Sequence, residues 1–189
     1  MMNMKSINRF LVVLLVAVMP VLAFAQNNNS LLRQRLEIVE LENEDAGGAW
    51  HTEVEVFSIA DTPGYWLSLG NLGIGSDIVQ LQFDPVFELF IPLGNTLAEA
   101  QEKMQEIKDF FNSARKSTME IEGCLTAILP DEGKLEPVKV TARRFLTSRL
   151  LEFSVERESL VRATYISKSE FGSLLSGVKF YRKLHKKQP

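Results

Sequence analysis

Three groups of side chains have types and spacings that can support chemistry. His51, Glu53 and Glu55 alternate along one short segment. On an extended strand, alternate residues project to the same side about 6.6–7 Å apart, so an imidazole and two carboxylates can converge on one metal ion. The activity this implies is metal-assisted catalysis. The competing reading is an acidic, solvated strand face, because a working centre draws a ligand from elsewhere and the other histidine, His185, stands in the C-terminal tail. Cys124 is the single cysteine. A thiolate is a strong nucleophile when its pKa is lowered, but Glu120 and Glu122 beside it act in the opposite sense. Strand alternation sets it opposite Ile121 and Leu125 as a small, half-buried residue, and leaves intermolecular pairing as its remaining chemistry. The third group is basic. Lys179, Lys183, Lys186 and Lys187 border a helix from which Phe180 projects opposite the apolar side. Basic amphipathic helices dock on anionic envelope surfaces or acidic partners in this way, although the helix dipole alone also favours cations near a C-terminus.

Other signatures are absent or out of context. The Gly70, Gly73 and Gly75 segment resembles a phosphate loop only superficially, since a strand rather than a helix N-terminus follows it. It reads as a hairpin or bulge. No Gly-Lys-Ser/Thr, Gly-x-Ser-x-Gly or His-Glu-x-x-His occurs, and the acid pairs Asp84/Glu88 and Asp131/Glu132 look like ordinary turn and surface carboxylates. No catalytic residue and no cofactor is assigned. The net charge of −3 over 189 residues argues against nucleic acid as a partner. The leading expectation is an exported, non-enzymatic domain that binds a protein or cell-envelope component, with peripheral contact to an anionic surface. The alternatives are an exported metal-assisted enzyme using His51 with Glu53 or Glu55, and a structural or inhibitory periplasmic protein.

The elements that must position these groups follow from patterning. Residues 1–25 have a basic start (Lys5, Arg9), an apolar run over 10–22 and Ala23-Phe24-Ala25, the three parts of a cleaved secretory signal. The apolar run is shorter than a bilayer span, so no transmembrane segment is expected after cleavage. With no cysteine at the cleavage site the protein should be periplasmic or secreted and not a lipoprotein. Residues 26–34 read as a flexible leader, and 35–189 as one domain. Strands are predicted over 35–41, 50–59, 65–69, 78–83 and 86–91, then over 118–129, 138–146, 150–156 and 160–166. Thr96 with Glu99 and Ser167 with Glu170 are capping boxes for helices over 96–114 and 168–185. The first buries Leu97, Ala100, Met104, Ile107, Phe111 and Ala114, the second Phe171, Leu174, Leu175, Val178 and Tyr181. Strands followed by a capped helix occur twice, a weak pattern of duplication between 35–115 and 117–187. Connections are too short for parallel crossovers. The expected fold is therefore α+β: an antiparallel sheet of about seven to eight strands, two amphipathic helices packed on one face, and the other face partly solvated. On that open face Lys139 and Arg143, Glu152 and Glu156, and Arg162 should pair across neighbouring strands. Mass spectrometry of the exported protein should find Gln26 as the first residue, and retention of residues 10–22 would overturn the expected export.

Overall fold

A computed structural model describes residues 35–41, 54–60, 62–70, 72–74, 82–84, 87–127, 130, 133–157 and 159–185. The expected signal, the leader, His51, Glu53, Lys186 and Lys187 lie outside these residues. The elements fall within Glu37–Pro189 apart from the first two residues of the first strand. In chain order they are β1 (Arg35–Leu41), β2 (Val54–Ile59), β3 (Thr62–Leu69), β4 (Leu72–Ile74), β5 (Gln82–Asp84) and β6 (Glu88–Gly94). Helix α1 (Leu97–Phe110) follows, then β7 (Thr118–Thr126), β8 (Glu136–Phe145), β9 (Ser148–Arg157), β10 (Leu160–Ser167) and helix α2 (Lys168–His185). Among the described residues no helix is long and apolar enough to cross a membrane.

The chain is α+β and its sheet mostly antiparallel, as expected, but ten strands are found among the described residues, in the order β1-β2-β3-β6-β7-β8-β9-β10-β4-β5. One strand outside the predicted segments comes from the glycine segment. Leu72–Ile74 pairs with β5, the next strand in the chain, on one side and on the other with β10, through Arg162 opposite Ile74 and Ala163 opposite Gly73. An uncovered β10 edge would present unpaired amides and carbonyls, and β4 with β5 satisfies it.

Both capping boxes form. Glu99 N–H donates to Thr96 Oγ1 at 3.2 Å and Thr96 N–H to Glu99 Oε2 at 3.2 Å. Glu170 N–H donates to Ser167 Oγ at 3.2 Å and Ser167 N–H to Glu170 Oε2 at 2.8 Å. Gly94 precedes the first box at φ 113°, where a Cβ would fall 2.6 Å from that of Glu99, so only glycine lets the chain turn into α1. Ala100, Met104 and Ile107 from α1, with Phe171, Leu174, Leu175 and Val178 from α2, join Val56, Leu67, Ile91 and Phe153 of the sheet in one core. α1 stops at Phe110, shorter than expected, because Phe111 caps it and turns to pack on Phe171. Ala114 is consequently exposed.

The far face is partly solvated, as expected, with Glu120, Glu122 and Lys139 exposed, but part of it is closed over. Phe57, Ile59, Phe90 and Cys124 form a second buried cluster there, with the Phe57 and Phe90 rings edge to face at 5.8 Å. The sheet is a curled half-barrel, and this cluster lies on the side away from the helices. The curl centres on β7. Residues 118–123 pair with β8, while 124–126 pair with β6. At the changeover a Cβ on Gly123 would lie 2.5 Å from Val138 Cγ2, 2.9 Å from Ile91 Cδ1 and 3.1 Å from the Phe90 carbonyl. Three expectations follow for urea unfolding. Ile107→Ala should cost about 2–5 kcal/mol through a cavity, and Gly123→Ala about 1–3 kcal/mol through overpacking. Lys103→Ala, which loses only an exposed pair with Glu106, should stay within about 0.5 kcal/mol.

Candidate functional site: a basic end of the sheet

Phe145 pairs with Ser148, so Leu146 and Thr147 alone connect β8 to β9. A two-residue hairpin needs positive φ at its first position or at both, and selects Gly, Asn or Asp there. Here Leu146 takes the position at φ 51° with 88% of its surface exposed. A left-handed backbone costs such a residue roughly 1–2 kcal/mol, and no burial offsets it. Arg144 and Arg149 stand directly opposite one another just behind this tip, a like-charge pairing that weakens a ladder. Arg144 is exposed and makes no ion pair among the described residues.

Further cations converge on this end from three other elements. Lys116 N–H donates to the Ala142 carbonyl at 2.8 Å, which ties the exposed Arg115 and Lys116 beside the hairpin. Lys168 opens α2, and Lys108 from the last turn of α1 reaches over Gly172, its Nζ 3.6 Å from where a Cβ would stand. Lys108, Arg149 and Lys168 line a groove of about 870 Å³ with Ser148, Ser169 and Ser173, and no carboxylate lines it among the described residues. Arg149 NH1 and Lys168 Nζ both donate to Asn112 Oδ1, at 2.9 and 2.8 Å. A neutral oxygen thus holds two cations side by side without cancelling either charge. Two carboxylates stand at the margins of this end: Asp109, which accepts from Gln105 at 2.9 Å, and Glu170, which caps α2 and lines a smaller hollow that shares Ser148, Ser167 and Ser169 with the groove. This end offers cationic donors and an apolar tip, the groups that bind an oxyanion or an anionic surface.

Beneath the hairpin lies the most buried charge of the described strands. Glu152 is 3% exposed. Its carboxylate accepts two bonds from Arg143, both at 3.0 Å, and one from the Tyr165 hydroxyl at 2.6 Å. The hydrogen bond from Arg143 holds its guanidinium above the ordinary range despite the desolvation that opposes it. Arg143 with Glu152 is the cross-strand pair the sequence suggested. Arg162 departs from that expectation. It stands opposite Val155 of the core face, where its guanidinium lies 4.8 Å from the Phe87 ring centroid. Glu156 is exposed.

Of the expected metal ligands, Glu55 alone is described. It is half buried on β2 opposite Ser68, whose hydroxyl donates to Glu88 at 2.7 Å. Among the described residues no three His, Cys, Asp or Glu side chains gather as a metal-holding group. His185 stacks on Tyr181, ring centroids 4.1 Å apart. In the expected basic stripe Phe180 is 64% exposed and Lys183 is exposed. Lys179 instead turns toward α1 and donates to Gln105 at 3.3 Å. The hairpin end escaped the linear reading, although Arg143-Arg144-Phe145-Leu146-Thr147-Ser148-Arg149 carried its signal: a turn without a turn-former, flanked by arginines.

Cys124 is fully buried rather than half buried. Burial pushes its thiol pKa up, Glu136 adds to the rise and Arg157 partly opposes it. A folded-state pKa above the unfolded one means that ionisation opposes folding, so this contribution is intact at neutral pH and lost as pH climbs past the raised value. Ellman's reagent should leave the native protein unlabelled at neutral pH and label one thiol per chain in denaturant.

No family model, curated protein or solved structure matches this chain.

Proposed function

We propose that the protein is an exported, non-enzymatic binding domain that docks on an anionic component of the cell envelope through the basic end of its sheet. The observation that carries this reading is Leu146, an apolar side chain held exposed in a backbone conformation that favours glycine, between two arginines that repel one another. Each of these features weakens the isolated fold, and each contributes favourably on an anionic surface. There a basic side chain contributes about 1 kcal/mol, and full burial of a Leu or Phe side chain about 1.5–3 kcal/mol. Residues 1–25 supply the export that brings the domain to such a surface.

A second surface is favoured by a separate observation. Phe180 and Leu184 are 64% and 53% exposed near the end of α2, beside Lys183 and next to Lys186 and Lys187 in sequence. The metal-assisted alternative at His51, Glu53 and Glu55 is tested on its own terms by elemental analysis: stoichiometric metal, lost on His51→Ala, would replace the binding reading.

Co-sedimentation with phosphatidylcholine vesicles, with and without phosphatidylglycerol, separates the two surfaces. Binding should require the anionic lipid and weaken with salt. It should be lost on Arg144→Glu with Arg149→Glu, and persist when Lys179, Lys183, Lys186 and Lys187 are reversed. Leu146→Asn should weaken binding while leaving thermal stability unchanged or slightly raised, because Asn tolerates positive φ. Loss in the lysine variant instead would move the docking surface to α2. No binding to anionic vesicles at low salt would sink the reading.

A further inference from the structure

The groove beside the hairpin carries Lys108, Arg149 and Lys168. All three are half-buried, and none makes an ion pair among the described residues. Their placement works against the isolated fold at three points. Lys168 is the first residue of α2, the end where the helix dipole disfavours a cation. Gly172 stands in the body of the same helix, where glycine is a poor helix former. Outside that helix a Cβ at 172 would meet only the end of Lys108, Nζ at 3.6 Å and Cε at 3.8 Å, so packing among the described residues does not require a glycine. Finally, Arg149 and Lys168 are drawn together on one neutral atom, Asn112 Oδ1, at 2.9 and 2.8 Å. Like charges this close repel unless an anion joins them.

The three cations form one cluster. Positions 168 and 172 are four apart on α2, so their Cβ sites share a face about 5–6 Å apart, and the Lys108 ammonium lies against the second. Arg149 meets Lys168 through Asn112. The remaining lining of the groove is serine, threonine and glycine, with no aliphatic or aromatic side chain. Ser173 and Ser176 turn back onto helix carbonyls, whereas the Thr147 and Ser148 hydroxyls make no hydrogen bond among the described residues. The hollow beside it adds the Glu170 carboxylate.

These groups select a ligand class. A phosphomonoester carries about −1.5 to −2 charge at neutral pH and three strong acceptor oxygens, one for each cation. A carboxylate or a phosphodiester has one charge and fewer oxygens to share among them. Arg149 supplies a planar fork and the two lysines compact point charges. The volume of about 870 Å³ leaves room for more than a phosphate group, and hydroxyl-lined walls suit a body that is itself hydroxylated.

We propose that this groove binds a phosphomonoester on a hydroxylated body, a sugar phosphate in chemical class, with Lys108, Arg149 and Lys168 on the phosphate oxygens and Asn112 positioning two of them. The site goes beyond docking at the hairpin tip, with which it shares Arg149, because it takes one soluble ligand per chain.

Calorimetry on the processed protein tests it with glucose 6-phosphate, inorganic phosphate, dimethyl phosphate and dihexanoyl-phosphatidic acid. Saturable one-to-one binding is expected for glucose 6-phosphate, weaker binding for inorganic phosphate, and none for the diester. Asn112→Asp should weaken binding about tenfold or more, the equivalent of losing one charge-assisted contact. Gly172→Glu sets a carboxylate beside Lys108 and should abolish binding. Both variants should keep or raise the unfolding midpoint, since each adds an acid among cations and the second removes a helix glycine. Arg144→Glu with Leu146→Asn, outside the groove, should still bind glucose 6-phosphate. No binding of glucose 6-phosphate, equal binding of dimethyl phosphate, or full binding by Gly172→Glu would each overturn the site. Tighter binding of the phosphatidic acid, the same phosphate on an apolar body, or equal affinity for inorganic phosphate would overturn the sugar phosphate as its ligand class.

Discussion

The sheet depends on one strand that changes partner halfway along. β7 gives its first six residues to β8 and its last three to β6. Between the two sets stands Gly123, where the Val138 and Ile91 side chains and the Phe90 carbonyl close in from three directions. A side chain there would force the two halves apart. Its absence lets the sheet fold over at β7, as glycines commonly do at bends in curved sheets. The curl then decides what each face becomes. The inner core receives both helices, and the far face gathers Phe57, Phe90 and Cys124 into a dry cluster of its own.

Burial on both sides of β9 is the next consequence. Leu151, Phe153 and Val155 pack toward the helices, while Leu150, Glu152 and Ser154 are buried on the other side. An ionised carboxylate in such a place is costly unless its lone pairs are met. Arg143 and Tyr165 meet Glu152 from the strands on either side. The three residues tie β8, β9 and β10 in a register that a one-residue slip would destroy. That register also sets Arg144 opposite Arg149 and leaves two residues for the turn. A buried polar contact thus fixes the geometry of an exposed one.

How much of this was legible in the sequence depended on how local the cause was. Capping boxes involve residues three apart, and both were readable as written. The Arg143–Glu152 pair was readable because its strands are joined by a short turn. Gly123 gave no signal, since what forbids a side chain there comes from β6 and β8. The pairing of Leu72–Ile74 with β10 joins residues far apart in the chain, and glycine content alone suggested only a connection. Arg162 was misassigned for a related reason. Its charge suggested the open face, whereas its place opposite Val155 sets it on the core face.

The basic surface shows the same limit more sharply. Counting cations along the chain points to the end of α2, where they are consecutive or nearly so. In the fold, Lys179 and Arg182 turn toward α1 and donate to the neutral amide oxygens of Gln105 and Gln101, which fix their positions without cancelling their charge. At the other end, cations from α1, the loop after it, the hairpin and α2 come together although they are scattered, singly or in pairs, along the sequence. What holds them there is uncharged: a backbone bond from Lys116 to Ala142, the missing side chain of Gly172, over which Lys108 lies, and the amide oxygen of Asn112. Carboxylates in those places would have stabilised the fold more. Neutral groups keep the cations in position and keep their charge available, so the stability given up inside the domain remains available to an anion outside it.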